Sequence, residues 1–370
     1  MGVVGAGISG LSIACHALDR GLGPVTVYDG AGIGAGASAV QPGGVRQQWG
    51  SLANCAMARE SRAFYLELDS RLGVTVDASF DACGYLFLAD RDETLAQLEA
   101  NVRVQHAAGV PSEIVAAGEA AALLPQLRVD GVLGGSYCAE DGYFDRPQSV
   151  VRAFADAARA RGAQFERLAV SSIARDGAGW RLSTADGEHA HAEQLVVAAG
   201  AETVGLVAPL DVRLPVTREP RFLLLGEPRT DRVLDPLVIA VDRGLAAKQL
   251  ADGRLLASDL RASGDPAAEA DRWRANVRSG LERLIPALAD DALPTLVQGV
   301  YDMTPDAQPI VDEVAGGLWV AAGFSGHGFM VAPSTGRLVA AGLDGDPLPE
   351  WHAAVRAARF RDAAPDTQVI

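Results

Sequence analysis

The feature that most constrains this chain is Gly5-Ala6-Gly7-Ile8-Ser9-Gly10, a glycine loop set between two kinds of hydrophobic pattern. Met1 to Val4 reads as the end of a short apolar strand. Beyond the loop, Leu11, Ile13, Ala14 and Leu18 mark one face of a helix, and Val25 to Tyr28 forms a second apolar strand closed by Asp29. Such a βαβ unit places two parallel strands side by side with the helix across them. Gly5 permits the tight turn, Gly7 lets backbone approach a pyrophosphate, and Gly10 lets helix and strand pack closely. At the helix start, Ile8 and Ser9 add N–H donors and the positive end of the helix dipole. Asp29, nineteen residues after Gly10, stands where a carboxylate accepts from both hydroxyls of an adenosine ribose and repels a 2′-phosphate. A dinucleotide site is implied, and the motif alone does not separate NAD from FAD.

Composition narrows the partners. With 370 residues and 49% hydrophobic content, the chain can bury a large core, and two interleaved domains are expected. No run approaches the length of an apolar membrane span, and the first residues already belong to the nucleotide fold. Neither a signal peptide nor a membrane segment is expected, and a cytoplasmic location follows. A net charge of −15 excludes a nucleic-acid surface, which needs a concentrated basic face, and points to a small-molecule partner. Lys248 is the only lysine. Cys15, Cys55, Cys83 and Cys138 lack zinc-like spacing, so buried free thiols and no metal are expected. His189 and His191 alternate on a polar strand and read as solvated.

The order of elements predicts two visits to a second domain. Glycines at 30, 32, 34, 36, 43 and 44 make a flexible run of the kind that carries function. A helix is expected over Ala53–Leu72, a buried strand at Gly84–Ala89, a helix from Pro147 to Gly162, and a strand at Phe165–Val170 followed by a hairpin to Thr184. The apolar run Gln194–Gly200 reads as a buried parallel strand ending against a cofactor. Strands at Arg221–Leu225, Val238–Val241 and Arg254–Ser258 precede a helix at Glu269–Leu284. The chain then returns through Leu318–Ala322, a second glycine loop at Gly323–Phe329, and a helix to Leu343. The nucleotide-binding domain is assigned to 1–80, 141–214 and 300–370, and a substrate-binding domain to 81–140 and 215–299.

In this order, GAGISG with Asp29, GGVRQQW at Gly43–Trp49, VVAAGA at Val196–Ala201, YDMTPDAQPIVD at Tyr301–Asp312 and GFSGHGFMVAP at Gly323–Pro333 resemble the FAD-dependent D-amino-acid oxidase superfamily. The resemblance is strongest to its branch of sarcosine oxidase, glycine oxidase, and dimethylglycine and proline dehydrogenases, and it covers nearly the whole chain. It implies a mixed α/β (α+β) fold in which a Rossmann-like FAD-binding domain is interleaved with an antiparallel-sheet substrate domain. FAD becomes the expected cofactor. By resemblance, Val170 brackets the adenine, while Gly36, Ser38, Gly43, Gly44 and Val45 run along pyrophosphate and flavin. Ala199 and Gly200 end the strand beside the cofactor. Gly326, His327, Gly328, Phe329 and Met330 face the flavin pyrimidine, where a helix N-terminus favours the charge that a reduced flavin gathers.

The same resemblance makes Arg46 the residue that grips a substrate carboxylate, for which a guanidinium fork is suited. Tyr301 is placed beside the substrate, and His327 hydrogen-bonds the cofactor or lines the pocket; no general base is named. Departures are informative. Gly299 replaces the cysteine that tethers flavin in sarcosine oxidase, which implies noncovalent FAD. Met330 replaces a second cationic carboxylate ligand, and Leu256 replaces the lysine credited with oxygen activation. Lys248 is too distant in the chain to be assumed its substitute, so the electron acceptor is oxygen or another carrier. These features imply oxidation of the C–N bond of an amino acid or N-alkyl amino acid by hydride transfer. The alternatives are a 2-hydroxy-acid oxidoreductase on the same fold and a flavoprotein subunit of a larger complex; a flavin monooxygenase would need a second nucleotide motif that is not seen.

Overall fold

A computed structural model describes residues 1–360. The last ten residues of the assigned segment 300–370 lie outside the described residues. The strand Gly2–Val4 lies inside a six-stranded sheet, parallel to Leu195–Val197 on one side and Thr26–Tyr28 on the other. Gln164–Glu166 and Leu318–Ala322 extend it in parallel, and Ile310–Ala315 closes one edge antiparallel. The central strands are apolar without alternation because they are covered on both faces. Helix Ile8–Asp19 packs on helices Pro147–Ala160 and Gly328–Asp344. A Cβ on Gly336 would overlap Ser12 and come within 2.7 Å of His16 Nδ1, so glycine sets how closely two of these helices approach.

Three expected elements differ. The helix expected over Ala53–Leu72 is two, Leu52–Leu66 and Leu68–Leu72, with a break at Glu67 that turns Leu68 and Leu72 into the core. The strand expected at Phe165–Val170 stops at Glu166. Leu168 and Val170 then donate to Glu166 O and Leu168 O across tight turns, and a new strand, Val170–Asp176, begins the hairpin. Its third strand, His189–Ala192, carries both histidines exposed. Cys83 is only half-buried, while Cys15, Cys55 and Cys138 are buried; all four are free thiols.

The second large sheet has eight strands, in the order Thr295–Met303, Thr217–Leu225, Leu255–Asp259, Leu245–Gln249, Leu237–Ala240, Tyr85–Ala89, Gly134–Cys138 and Glu113–Ala116. All neighbours are antiparallel except Leu237–Ala240 and Tyr85–Ala89, which join the two visits in parallel. The sheet is thus the expected antiparallel one with a single parallel seam, where two distant chain segments enter it in the same direction. Thr295–Met303 pairs without interruption along Thr217–Leu225, so the division assigned between 299 and 300 falls inside a strand. A small sheet of Gly44–Val45, Gly142–Phe144 and Phe80–Asp81 pins the end of the glycine-rich run. Among the described residues, no helix is long and apolar enough to cross a membrane.

Candidate cofactor and substrate site

The first glycine loop is built from backbone. Gly5 sits at φ 109° and donates its N–H to Tyr28 O at 2.8 Å. A Cβ on Gly5 would overlap Ala198 O, and one on Gly10 would overlap Gly5 O, so strand, loop and helix touch at atoms no side chain could share. Ala6 N–H donates to Asp29 Oδ2 at 2.8 Å, and Ile8 N–H to Ser38 Oγ at 3.1 Å. Asp29 Oδ1 accepts from Ala31 and Gly32 N–H at 2.8 and 2.7 Å. Asp29 thereby ties the loop to the glycine-rich run, and each oxygen keeps acceptor capacity for the expected ribose. Val170 is half-buried near this end, because Gly30 packs against Ala169 next to it. Ala199 N–H donates to Thr203 Oγ1 at 3.1 Å, and Gly200 follows at φ 56°.

Within the glycine-rich run, Gly36 precedes the short helix Ala37–Val40, which carries buried Ser38. Gln41 Oε1 accepts from Gly43 N–H at 2.6 Å, while Gln41 Nε2 is buried with no partner. An orphaned buried donor is uncommon and marks a place where an acceptor belongs. With the bare backbones of Gly7, Gly43 and Gly44 and the free N–H groups of the helix start, it fits the phosphates and flavin edge of FAD.

The C-terminal loop is held open by left-handed backbone at Gly323, Ser325 and Gly326, with φ of 67°, 51° and 84°. Ser325 is the costly one, having a Cβ in that region. Its N–H donates to Asp302 O at 3.0 Å and its Oγ accepts from Thr304 N–H at 3.2 Å, which offsets the strain. Tyr65 Oη donates to Phe329 O at 2.5 Å, and the two rings stack with centroids 5.4 Å apart. The helix then begins at Gly328. A Cβ on Gly326 would overlap the Tyr301 ring, so loop and tyrosine are in contact.

Arg46 follows Val45, which is buried in the small sheet, and is itself buried. Its guanidinium lies 3.7 Å from the Trp49 ring centroid and 5.2 Å from that of Phe87, and one nitrogen donates to Gln48 O at 2.7 Å. Burial pulls the guanidinium down to about 10. Across Trp49 stands His327, its ring centroid 4.2 Å away in an edge-on arrangement. Burial, and secondarily Arg46, holds His327 well below the usual histidine range, so its ring is neutral at neutral pH. Burial raises the Tyr301 phenol, against the pull of Arg221 and Arg46. Tyr85 Oη and Met330 Cε both close on the Cα of Gly44, where a Cβ would overlap the former and lie 3.2 Å from the latter.

The sequence-predicted residues thus fall into two groups. Arg46, His327, Tyr301, Gly44, Gly326 and Met330 gather at one end; Asp29 and Val170 stand at the other, with Gly5–Gly10, Gly36 and Ser38 between. Gln41, Tyr85 and Asp141 have no place in the sequence expectations, and Lys248 is set aside there for its distance along the chain. Asp141 is completely buried, and desolvation raises it to about 6. Lys248 is buried over the Tyr143 ring, 3.9 Å from its centroid, and donates to Pro42 O. Burial lowers it to about 7. It pairs in register with Leu256 on the next strand, so a lysine does stand beside the position that chain distance had discounted. Its being the sole lysine was the available signal. A Cβ on Gly299 would lie 3.0 Å from Val40 Cγ2, leaving little room there for a tethering side chain.

Residues 2–341 match the family described as FAD dependent oxidoreductase. The chain belongs to that family. It is therefore an FAD-dependent oxidoreductase, and the fit of the glycine cradle agrees. Among proteins of known description, it is similar to 4-methylaminobutanoate oxidase (formaldehyde-forming) of Paenarthrobacter nicotinovorans, 27% identical over 355 residues, covering 91% of this chain and 43% of that protein. The chain thus spans less than half the length of that relative. It is also similar to glycine oxidase of Geobacillus kaustophilus, 27% identical with 91% of each chain covered. Among solved structures, L-proline dehydrogenase from P. horikoshii superposes with a TM-score of 0.88 at 27% identity, covering 99% of this chain and 98% of that one.

Proposed function

We propose that the enzyme oxidises the C–N bond of an amino acid or N-alkyl amino acid to an imine, which water hydrolyses after release. The observation that carries this reading is Arg46: a buried guanidinium with no ion-pair partner among the described residues, flanked by aromatic faces. Leaving such a charge uncompensated is costly, and a carboxylate arriving with the substrate removes that cost. The similar proteins are named for 4-methylaminobutanoate, glycine and L-proline, each an amine joined to a carboxylate.

FAD, when bound, would supply the two-electron acceptor for a hydride from the substrate Cα. Gly5–Gly10, Asp29, Ser38 and the bare backbone of Gly43–Gly44 would hold it, and the helix start at Gly326–Met330 would offer backbone donors to it. The side chains around it position rather than react. Arg46 anchors the carboxylate, and Tyr301 borders the reacting carbon. Neutral His327 adds no second positive charge beside Arg46. Half-buried, apolar Met330 selects a remainder larger or less polar than that of sarcosine. Lys248, beside Leu256, supports oxygen among the acceptors.

The test is an anaerobic panel of amino, N-methyl amino and 2-hydroxy acids, read as loss of the flavin absorbance band. Bleaching by amines with release of ammonia or an alkylamine supports the reading, and bleaching by hydroxy acids alone replaces it. Arg46→Ala should weaken capture of the active substrate at least roughly tenfold while FAD stays bound, the scale of one lost charge-assisted contact.

A further inference from the structure

Behind Arg46 lies a buried polar cluster that the chemistry above does not use. Asp141 is inaccessible to solvent and accepts from Gln47 N–H at 2.9 Å, Gln47 Nε2 at 3.3 Å and Gln48 Nε2 at 3.2 Å. Gln48 spends its other polar atoms on structure as well. Its Nε2 also donates to Tyr85 O at 3.0 Å, its Oε1 accepts from Ser136 Oγ at 3.0 Å, and its backbone oxygen holds the Arg46 guanidinium at 2.7 Å. Gly84 N–H donates to Asp141 O at 2.8 Å, and a Cβ on Gly142 would overlap Asp81 O. The aspartate is thereby fixed between the strand that carries Tyr85 and the strand that carries Phe144.

A carboxylate placed directly on Arg46 would occupy the fork that a substrate needs. Here the negative charge stands one residue removed, reaching Arg46 through the field and through two glutamines. Resting on the reading of Arg46 as the carboxylate anchor, we infer that Asp141 is the positioning residue of the substrate site: by holding Gln47 and Gln48 it sets the Arg46 fork and balances its charge without capping it. The groups that share its surroundings are Arg46, Cys55, Tyr85 and Cys138, with Glu140 touching Gln47 Nε2 at 3.4 Å. Burial pushes Cys55 up to about 11 and raises Cys138 and Tyr85 as well, so Asp141 is the group here that changes charge near pH 6.

The inference opposes simple Coulomb reasoning. If Asp141 were only a competing negative charge, neutralising it would tighten anion binding. If it positions the fork, neutralising it frees Gln48 and loosens binding. The FAD-loaded enzyme would be titrated with methoxyacetate, an anion ionised from pH 5.5 to 8, with the flavin spectrum as readout. Wild type should bind more weakly as pH falls through about 6. Asp141→Asn should bind roughly tenfold more weakly at pH 8, the worth of one hydrogen bond to a charged group, with the acid limb gone. Gln48→Met, which keeps the charge and removes the tether, should weaken binding in the same direction and serves if Asp141→Asn does not fold.

Tighter binding in Asp141→Asn, or unchanged binding in Gln48→Met, overturns the inference. Should Arg46→Ala also leave binding unchanged, the functional reading falls with it. A loss in Arg46→Ala with none in the other two removes Asp141 alone.

Discussion

The Gly5–Gly10 cradle and the Arg46 cluster are built by opposite means. The cradle is contiguous, made of backbone N–H groups and missing Cβ atoms, and its one charge, Asp29, spends both oxygens on nearby backbone. The cluster draws Arg46, Trp49, Tyr85, Asp141, Tyr301 and His327 from five separate stretches, and its work is done by buried side chains whose charges are shifted by desolvation. A dinucleotide's phosphates can be met by any chain that turns correctly. A particular small substrate needs specific groups fixed in a dry place. The first region should therefore fail all at once when sterically filled, and the second should fail by degrees.

Gly10→Val offers the largest effect. Its Cβ would overlap the Gly5 carbonyl and its branches would press on Val3, so the loop cannot close on the helix. The expected product is protein without FAD, or none that folds, checked by the ratio of flavin to protein absorbance. Near-stoichiometric FAD in this variant would end the view of the cradle as sterically exact. Lys248→Met comes next. If Lys248 supports oxygen as acceptor, the substrate-reduced enzyme should consume oxygen on the order of tenfold more slowly, as when one fixed cation is removed from a site of developing negative charge. Reoxidation traces identical to wild type would assign that lysine to packing alone.

How much of each region was legible follows from this contrast. Glycine spacing, the strand before it and the acid after it are local, so GAGISG and Asp29 could be read directly, as could Leu318–Ala322 and the loop that follows. Arg46 and Tyr301 are named as site candidates only through resemblance to a family. Asp141 precedes an ordinary-looking Gly-Tyr-Phe, and nothing local shows that it meets residues ninety-odd positions earlier. Lys248 was discounted by chain distance, yet antiparallel pairing with Leu256 across a short hairpin brings it alongside. The break at Glu67 was hidden because the helical pattern continues through it, and the turn at Leu168 because the run Phe165–Val170 has no glycine or proline to stop it.

A smaller effect concerns Lys248 and stability. Its amine is held at about 7 in the folded chain by burial, against an ordinary value near ~10.4 when unfolded. Between those limits the unfolded state binds the extra proton, so stability rises with pH across the interval and the penalty is full below pH 7. The difference in thermal midpoint between Lys248→Met and wild type should favour the variant most below pH 7 and shrink steadily toward pH 10. A difference that stays flat from pH 6 to 10 would mean the lysine is better solvated than its position indicates.

Tyr65→Phe should have the smallest effect and tests whether the C-terminal loop belongs with the cradle or the cluster. The hydroxyl donates to Phe329 O, one residue into the helix that begins at Gly328, and the stacked rings survive the substitution. Losing one buried hydrogen bond while leaving its carbonyl acceptor unpaired costs about 1–2 kcal/mol. In a chain of this size that is a fall of only a few degrees in thermal midpoint. If the loop acts as cradle, FAD affinity should drop alongside stability, because the first N–H groups of that helix are aimed by the carbonyl next to them. If it acts as cluster, FAD affinity should hold and the KM for substrate should rise through His327, which packs on Trp49 two residues before Phe329. The helix start at Gly328, its left-handed approach and its backbone donors make the first outcome the expected one.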